Sequence, residues 1–180
     1  MFMKHCVTLL AAVALAGGTA LMAQSGSAER MTGNNPDQAF MMKAAQGGMA
    51  EVQLGNLAKD HAESQAVKDF GQRMVNDHTK ADDELKSLAS QKNCTLPADL
   101  DAKDKATYDR LSKLNGAAFD KAYMRDMVTD HRKDVAEFRH ESQMGSDPDV
   151  KAWAGKTLPT LEEHLKLAES TDKSVGSEKK

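Results

Sequence analysis

Apolar residues recur at intervals of three and four along most of the chain, the spacing of helices that bury one face. Four long segments carry such a stripe, and a shorter one lies between the second and the third. Typical capping and stop residues bound them, which places the helices at about residues 36–60, 64–92, 102–114, 117–144 and 148–170. Because no strand pattern accompanies them, the sequence predicts an all-α four-helix bundle with an additional short helix between its second and third long helices.

The two ends of the chain fall outside this pattern. Lys4 and His5 precede a compact apolar run over residues 7–16, and small residues follow, as in a signal peptide cleaved after Ala23 or Ala28. We therefore predict a signal peptide and lead-in over residues 1–28, the bundle over 36–170 and a polar tail over 171–180. An uncleaved anchor is the alternative, although the apolar run is short for a membrane span.

Composition narrows the possible partners. The chain has 24 Lys and Arg against 27 Asp and Glu, and no basic stripe with interleaved aromatic residues, which argues against nucleic-acid binding. After cleavage only Cys94 remains, so an intramolecular disulfide is excluded. We predict a periplasmic or secreted protein without a transmembrane domain once the signal is removed.

Each long helix carries one residue able to bind a metal ion within its apolar stripe. These residues are Glu51, His78, His131 and His164. A polar side chain in a core-facing stripe is costly unless it is paired or coordinated. Counting 1.5 Å per residue from each turn places the two members of each hairpin at similar depth, although the long connection leaves open whether the two pairs meet. Three histidines and a glutamate suit Zn²⁺, Fe²⁺, Mn²⁺ or Cu²⁺; the alternative is three hydrogen-bonded core histidines.

Residues near these histidines in the sequence bear on both the metal-site hypothesis and the alternative of core histidines. Asp82 follows the histidine of the second helix by four positions, and Asp134 follows that of the third long helix by three, so either could orient an imidazole; solvated surface acids are the alternative. Met74 and Met127 each stand four before a histidine, which raises a copper alternative beside the role of core filler.

Four further residues are predicted to lie away from the candidate site. Asp77 and Asp130 each directly precede a histidine and are expected to face elsewhere on their helices. Glu137 and His140 form a Glu-x-x-His pair, but His140 falls on the outer face and the pair occurs once, whereas a di-iron centre needs two.

Residues of both halves of the bundle follow a familiar order and spacing. The first half has Phe40, Glu51-Val52, Gly55, Ala58, Phe70 and Met74–His78, and the second has Phe119–Tyr123, His131, Leu158-Pro159 and His164-Leu165. Over about residues 36–170 this resembles a bacterial family known as Domain of Unknown Function 4142, often labelled "predicted outer membrane protein". The resemblance implies an exported ferritin-like helical bundle and supplies no activity.

The resemblance also draws attention to Asp120 and Tyr123, which fall on motif positions of the family. About 16 Å of helix separates Asp120 from His131, too far to share one ion. We interpret Asp120 and Tyr123 as buried hydrogen-bond partners that fix the third long helix against the short one.

The function predicted from these observations is metal binding for storage, buffering or stress protection. One alternative is a metal-dependent enzyme that handles oxygen or peroxide, which needs an open coordination position and a path to solvent. The other is a structural or interaction module with buried histidines, which needs an exposed apolar patch.

Overall fold

The computed structural model describes residues 35–177, and these form five helices without any strand. The helices are α1 (Pro36–His61), α2 (Gln65–Gln91), α3 (Ala102–Leu111), α4 (Gly116–Met144) and α5 (Pro148–Ser177). The all-α prediction is confirmed, and most predicted boundaries lie within a residue or two of those observed. Within this range no helix combines the length and apolarity needed to cross a membrane. The predicted signal peptide lies outside the described residues.

The long helices pair as two hairpins. α1 packs along α2 and α4 along α5, while α2 contacts α5 and α1 contacts α4, so the four close a ring. α3 packs against α1 and α4. Small residues let α1 and α2 approach closely: a Cβ added at Gly55 would lie 2.6 Å from the carbonyl oxygen of Gly71.

The core is divided into two hydrophobic clusters, and the four candidate ligands lie between them on every long helix. On α2, Val67, Phe70 and Met74 belong to the first cluster and Leu85 and Ala89 to the second. The same division flanks Glu51, His131 and His164 on the other three long helices. The expectation of a shared depth is thereby met, and the bundle has a polar layer at mid-height.

Asp120 is a buried hydrogen-bond partner, as predicted, but it contacts the turn between α1 and α2 and not the short helix α3. Its buried carboxylate accepts hydrogen bonds from the backbone N–H groups of Glu63 (3.2 Å) and Ser64 (2.9 Å). Because the Ser64 side chain makes no capping bond, Asp120 supplies the acceptor for the start of α2. It therefore ties α4 to the turn between α1 and α2 and not to the short helix.

The hydrogen-bonding role predicted for Tyr123 is also wrong. Its ring is fully buried, stacked on Phe119 and edge-on to Phe70, and its hydroxyl finds no hydrogen-bond partner in the part of the chain that the structure describes. The phenol faces the interior, where burial and then the charge of Glu51 raise its pKa well above the usual value. It contributes aromatic packing next to the polar layer.

The last helix continues past the predicted start of a polar tail. α5 extends to Ser177 because Thr171 and Val175 are both buried, and Val175 packs in the first hydrophobic cluster. The residues around these two positions are mostly polar, so an analysis based on average polarity does not identify either position as buried.

Candidate metal centre

Three histidine side chains meet in the polar layer. His78 from α2, His131 from α4 and His164 from α5 are 7%, 0% and 1% exposed. Their ring centroids form a nearly equilateral triangle with sides of 5.8, 5.4 and 5.4 Å. One ligand nitrogen from each ring lies within 4.8 Å of the other two. The tertiary structure therefore brings together three of the four residues singled out in the sequence.

Hydrogen bonds determine which nitrogen of two rings carries the proton. Nδ1 of His131 lies 2.9 Å from the carbonyl oxygen of Met127, which can only accept, so Nδ1–H donates. Nε2 of His164 lies 2.8 Å from a carboxylate oxygen of Asp77, so this nitrogen donates as well. In the neutral rings, the lone pairs remain on Nε2 of His131 and Nδ1 of His164.

Those two nitrogens, together with Nε2 of His78, are buried and have no hydrogen-bond partner among residues 35–177. A buried polar atom without a partner costs about 1–3 kcal/mol. Three of them within one triangle are unusual because most buried polar groups in native proteins are satisfied. Each ring thus keeps one unsatisfied nitrogen while packing fixes the ring itself.

Burial also keeps the rings uncharged. It lowers the pKa of His131 to about 4, with a further contribution from His164. It lowers the pKa of His78 well below the usual value, aided by the other two rings, and lowers that of His164 against the opposing hydrogen bond from Asp77. Neutral imidazoles offer the lone pairs that metal coordination requires.

Glu51 lies beside the triangle and not within it. Its Oε1 is 3.7 Å from Nδ1 of His131, and it is absent from the group of ligand atoms that approach within 4.8 Å. Its Oε2 is buried without a partner. Burial, followed by the charges of Asp134 and Asp130, raises the pKa of Glu51 well above its usual value.

The carboxylate that orients His164 belongs to Asp77, a residue that the sequence analysis predicted to face away from the site. Asp77 instead binds His164 across the α2–α5 interface and also accepts from Arg73 Nε at 3.2 Å. Its pKa is lowered because the hydrogen bonds from His164 and Arg73 outweigh the desolvation that opposes them. The sequence feature that could have indicated this role is the position of Asp77 one residue before His78. That position becomes informative only once α5 is known to pack against the side of α2 that carries Asp77.

The two acids predicted to orient imidazoles lie in an adjacent pocket instead. Asp82 and Asp134 are half-buried, and neither forms a hydrogen bond or ion pair within the described range. Burial raises the pKa of each to about 7. Asp82 occupies the space that a side chain at Gly48 would fill, since an added Cβ there would lie 2.0 Å from Oδ1 of Asp82.

Two neighbouring pockets reach the histidine layer and share the lining residues His78, Ala81, Thr157 and Leu161. One of about 160 Å³ is lined by all four long helices together with the start of α3, and it includes Glu51 and His78; we call it the acidic pocket. The other, of about 120 Å³, lies between α2 and α5 and includes His78 and His164; we call it the α2–α5 pocket. His78 therefore borders both.

The triangle has nearly the dimensions of a transition-metal site. Three nitrogens around a tetrahedral ion at about 2.1 Å lie about 3.4 Å apart, so small side-chain rotations would close the observed spacing. Three imidazoles suit Zn²⁺, Cu²⁺ and Fe²⁺ better than Mn²⁺, which favours oxygen ligands. Met74 and Met127 are both fully buried in the first hydrophobic cluster, as core fillers would be. His140 is exposed, as predicted.

The fold and site define a helical bundle with a buried trihistidine layer. The family described as a domain of unknown function, DUF4142, matches residues 22–171, and the chain belongs to this family. The resemblance stated from the sequence is confirmed. No curated protein matches the chain.

Solved structures of DUF305 proteins share this fold. One, from Streptomyces coelicolor and provisionally classed as secreted, is 14% identical with a TM-score of 0.67, covering 78% of this chain and 92% of that one. A DUF305 fragment from Deinococcus radiodurans is 12% identical with a TM-score of 0.66, covering 79% and 97%. At such identities the likeness concerns the fold alone.

Proposed function

We propose that this protein binds a transition metal ion through His78, His131 and His164, with Zn²⁺, Cu²⁺ and Fe²⁺ as the candidates. The observation that carries the proposal is the set of three buried, unpartnered ring nitrogens, one from each of three helices. A metal ion would satisfy all three at once, whereas three separate hydrogen bonds would otherwise be needed.

The role that best fits this site is storage, buffering or stress protection in an exported ferritin-like bundle. Support for export comes from the sequence pattern of residues 1–28 and from the provisional classification of the Streptomyces coelicolor protein. Glu51 is the candidate fourth ligand because its buried Oε2 has no partner among the described residues; its Oε1 lies 3.7 Å from the protonated Nδ1 of His131, so the side chain must rotate to reach the ion.

A second candidate is a metal-dependent enzyme acting on oxygen or peroxide. Its specific support is that His78 borders two pockets, which would leave the ion a route to solvent. Turnover of hydrogen peroxide by the metal-loaded protein, lost in His131→Ala, would favour this function over storage.

The metal site is tested by the melting temperature of the purified protein with and without Zn²⁺, Cu²⁺ or Fe²⁺ (the last under anaerobic conditions). Binding to the folded state alone adds about 2.7 kcal/mol when the free ion is at one hundred times Kd. For a domain of this size we expect the melting temperature to rise by about 10 °C.

Variants separate specific binding from adventitious binding. His78→Ala and His131→Ala should each abolish the rise, whereas His140→Ala, which removes an exposed histidine, should retain it. Mg²⁺ should have no effect because it prefers oxygen ligands. A melting temperature that does not change with any of the three transition metals would contradict the proposal and indicate that the histidines have a structural role.

A further inference from the structure

We propose that the acidic pocket is the route by which a cation reaches the histidines, with Asp82 and Asp134 as transit ligands and Glu51 as the last carboxylate before His78. This inference rests on the proposed metal site. It concerns the path and rate of metal uptake, which the three histidines by themselves do not determine.

The two pockets that reach the histidine layer differ in charge. Seven carboxylates and three lysines line the acidic pocket, an excess of four acids. The α2–α5 pocket has two of each, since Asp77 and Glu84 are balanced by Lys80 and Lys156. A cleft lined by one sign of charge concentrates ions of the opposite sign and raises their rate of entry. Cations are therefore drawn to the acidic pocket.

Within the acidic pocket, the lysines compensate the outer acids. Lys103 pairs with Asp130 at 3.2 Å, and both Lys43 and Lys133 lie within 4 Å of Glu137. These lysines are exposed and form the rim. Five lining carboxylates have no lysine within 4 Å among the described residues: Asp101 and Asp104 at the start of α3, and Asp82, Asp134 and the buried Glu51.

The inner carboxylates are available to an incoming ion. Asp82 and Asp134 have no ion pair or hydrogen bond within the described helices, and the absence of a side chain at Gly48 leaves the Asp82 carboxylate its room. Burial raises the pKa of both acids to about 7, as expected for carboxylates held without a cation.

The inner end of the pocket leads to the histidines through Glu51. This side chain is only 3% exposed, lines the pocket and has an unpartnered Oε2, while its Oε1 lies 3.7 Å from His131. His78 lines the same pocket, and its Nε2 is also unpartnered. Of the three proposed ligands, only His78 lines this pocket, so a cation held by Oε2 of Glu51 passes first to Nε2 of His78.

The test is the rate of Co²⁺ binding, followed by stopped-flow visible absorption, together with the equilibrium Kd. Co²⁺ serves as a coloured probe for the proposed site. We expect Asp82→Asn/Asp134→Asn to slow association at least tenfold at low salt. Because entry and exit use one path, dissociation should slow by the same factor and Kd should remain within about twofold.

The matched control removes two acids from the same helix outside the acidic pocket. Asp83→Asn/Glu84→Gln takes one exposed carboxylate and one that lines the α2–α5 pocket, and it should bind Co²⁺ at the wild-type rate. Circular dichroism establishes whether each variant is folded. If the double variant is not folded, Asp134→Asn alone replaces it, and we expect this variant to slow association less.

The possible outcomes distinguish the route from the site. Wild-type binding with an unchanged rate in Asp82→Asn/Asp134→Asn would overturn the route and leave the site standing. Equal slowing in the control would also overturn it, since general attraction would then suffice. Faster dissociation with weaker Kd would make the two aspartates equilibrium ligands and contradict a transit role. No Co²⁺ binding by the wild-type protein would overturn both proposals.

Discussion

Replacing Asp77 by Asn probes how one histidine is held without touching the proposed ligands. Asp77 Oδ2 accepts the Nε2–H of His164 at 2.8 Å, which leaves Nδ1 of that ring unpartnered in the interior. Asn keeps the size of the side chain and removes its charge. An amide oxygen still accepts, but the bond loses its charge assistance.

Two quantities should change in Asp77→Asn. Partners that orient a metal-bound histidine typically contribute 10- to 100-fold to metal affinity, about 1.4–2.7 kcal/mol. In the metal-free protein, the pKa of His164 should fall further, because its hydrogen bond and charge interaction with Asp77 are the two largest contributions that raise it against burial. Both effects follow from the same bond.

Isothermal titration calorimetry with Zn²⁺ measures the first quantity, and NMR titration of the His164 ring in metal-free protein measures the second. Asp69→Asn is the control, since Asp69 lies on the exposed side of the same helix and bonds only Gln65. A His164 pKa that is unchanged or raised in Asp77→Asn would refute the hydrogen bond itself. An unchanged Zn²⁺ affinity would refute its orienting role.

Two further predictions concern stability. Asp120→Ala should lower the free energy of unfolding by about 3 kcal/mol in urea denaturation, because two backbone donors lose a charged acceptor. Asp69→Ala, which removes an exposed aspartate, is the control. A loss below about 1 kcal/mol in Asp120→Ala, equal to that of the control, would contradict the prediction. Glu141→Gln should stabilise the protein at pH 8 by up to about 3 kcal/mol and leave it unchanged near pH 4. Burial and the hydrogen bond with Asp37 raise the pKa of Glu141 to about 7, so the folded state binds the proton more tightly and stability is lost as pH rises from about 4.5 through 7. A difference between variant and wild type that does not vary with pH would refute this.

The helices were predictable because their signals are local. Asn35 caps α1 through its side chain and Pro36 occupies the first turn, so these two residues mark the boundary without any tertiary contact. The stripes likewise follow from the helical period. α5 shows the limit of this reasoning, because Val175 is recognised as a core residue only when the neighbouring helices are in place.

The sequence also determined which residues could form the site and at what depth. His78, His131 and His164 each interrupt an apolar stripe, and counting from the turns placed them at mid-height. What the sequence left open was the angle at which each helix faces its neighbours across the long connection between α2 and α4. That angle depends on packing between residues far apart in the chain.

Tertiary structure alone decided which side chains act together. It placed Glu51 beside His131 and outside the triangle, turned Asp77 toward His164, and put Asp82 and Asp134 in a pocket shared with His78, with no bond to a ring among the described residues. A residue adjacent to a buried position along a helix lies about 100° around the axis, where it meets a different neighbour. Which neighbour occupies that side is a property of the ring of helices, because hydrogen bonds between helices depend on contacts that no single helix contains.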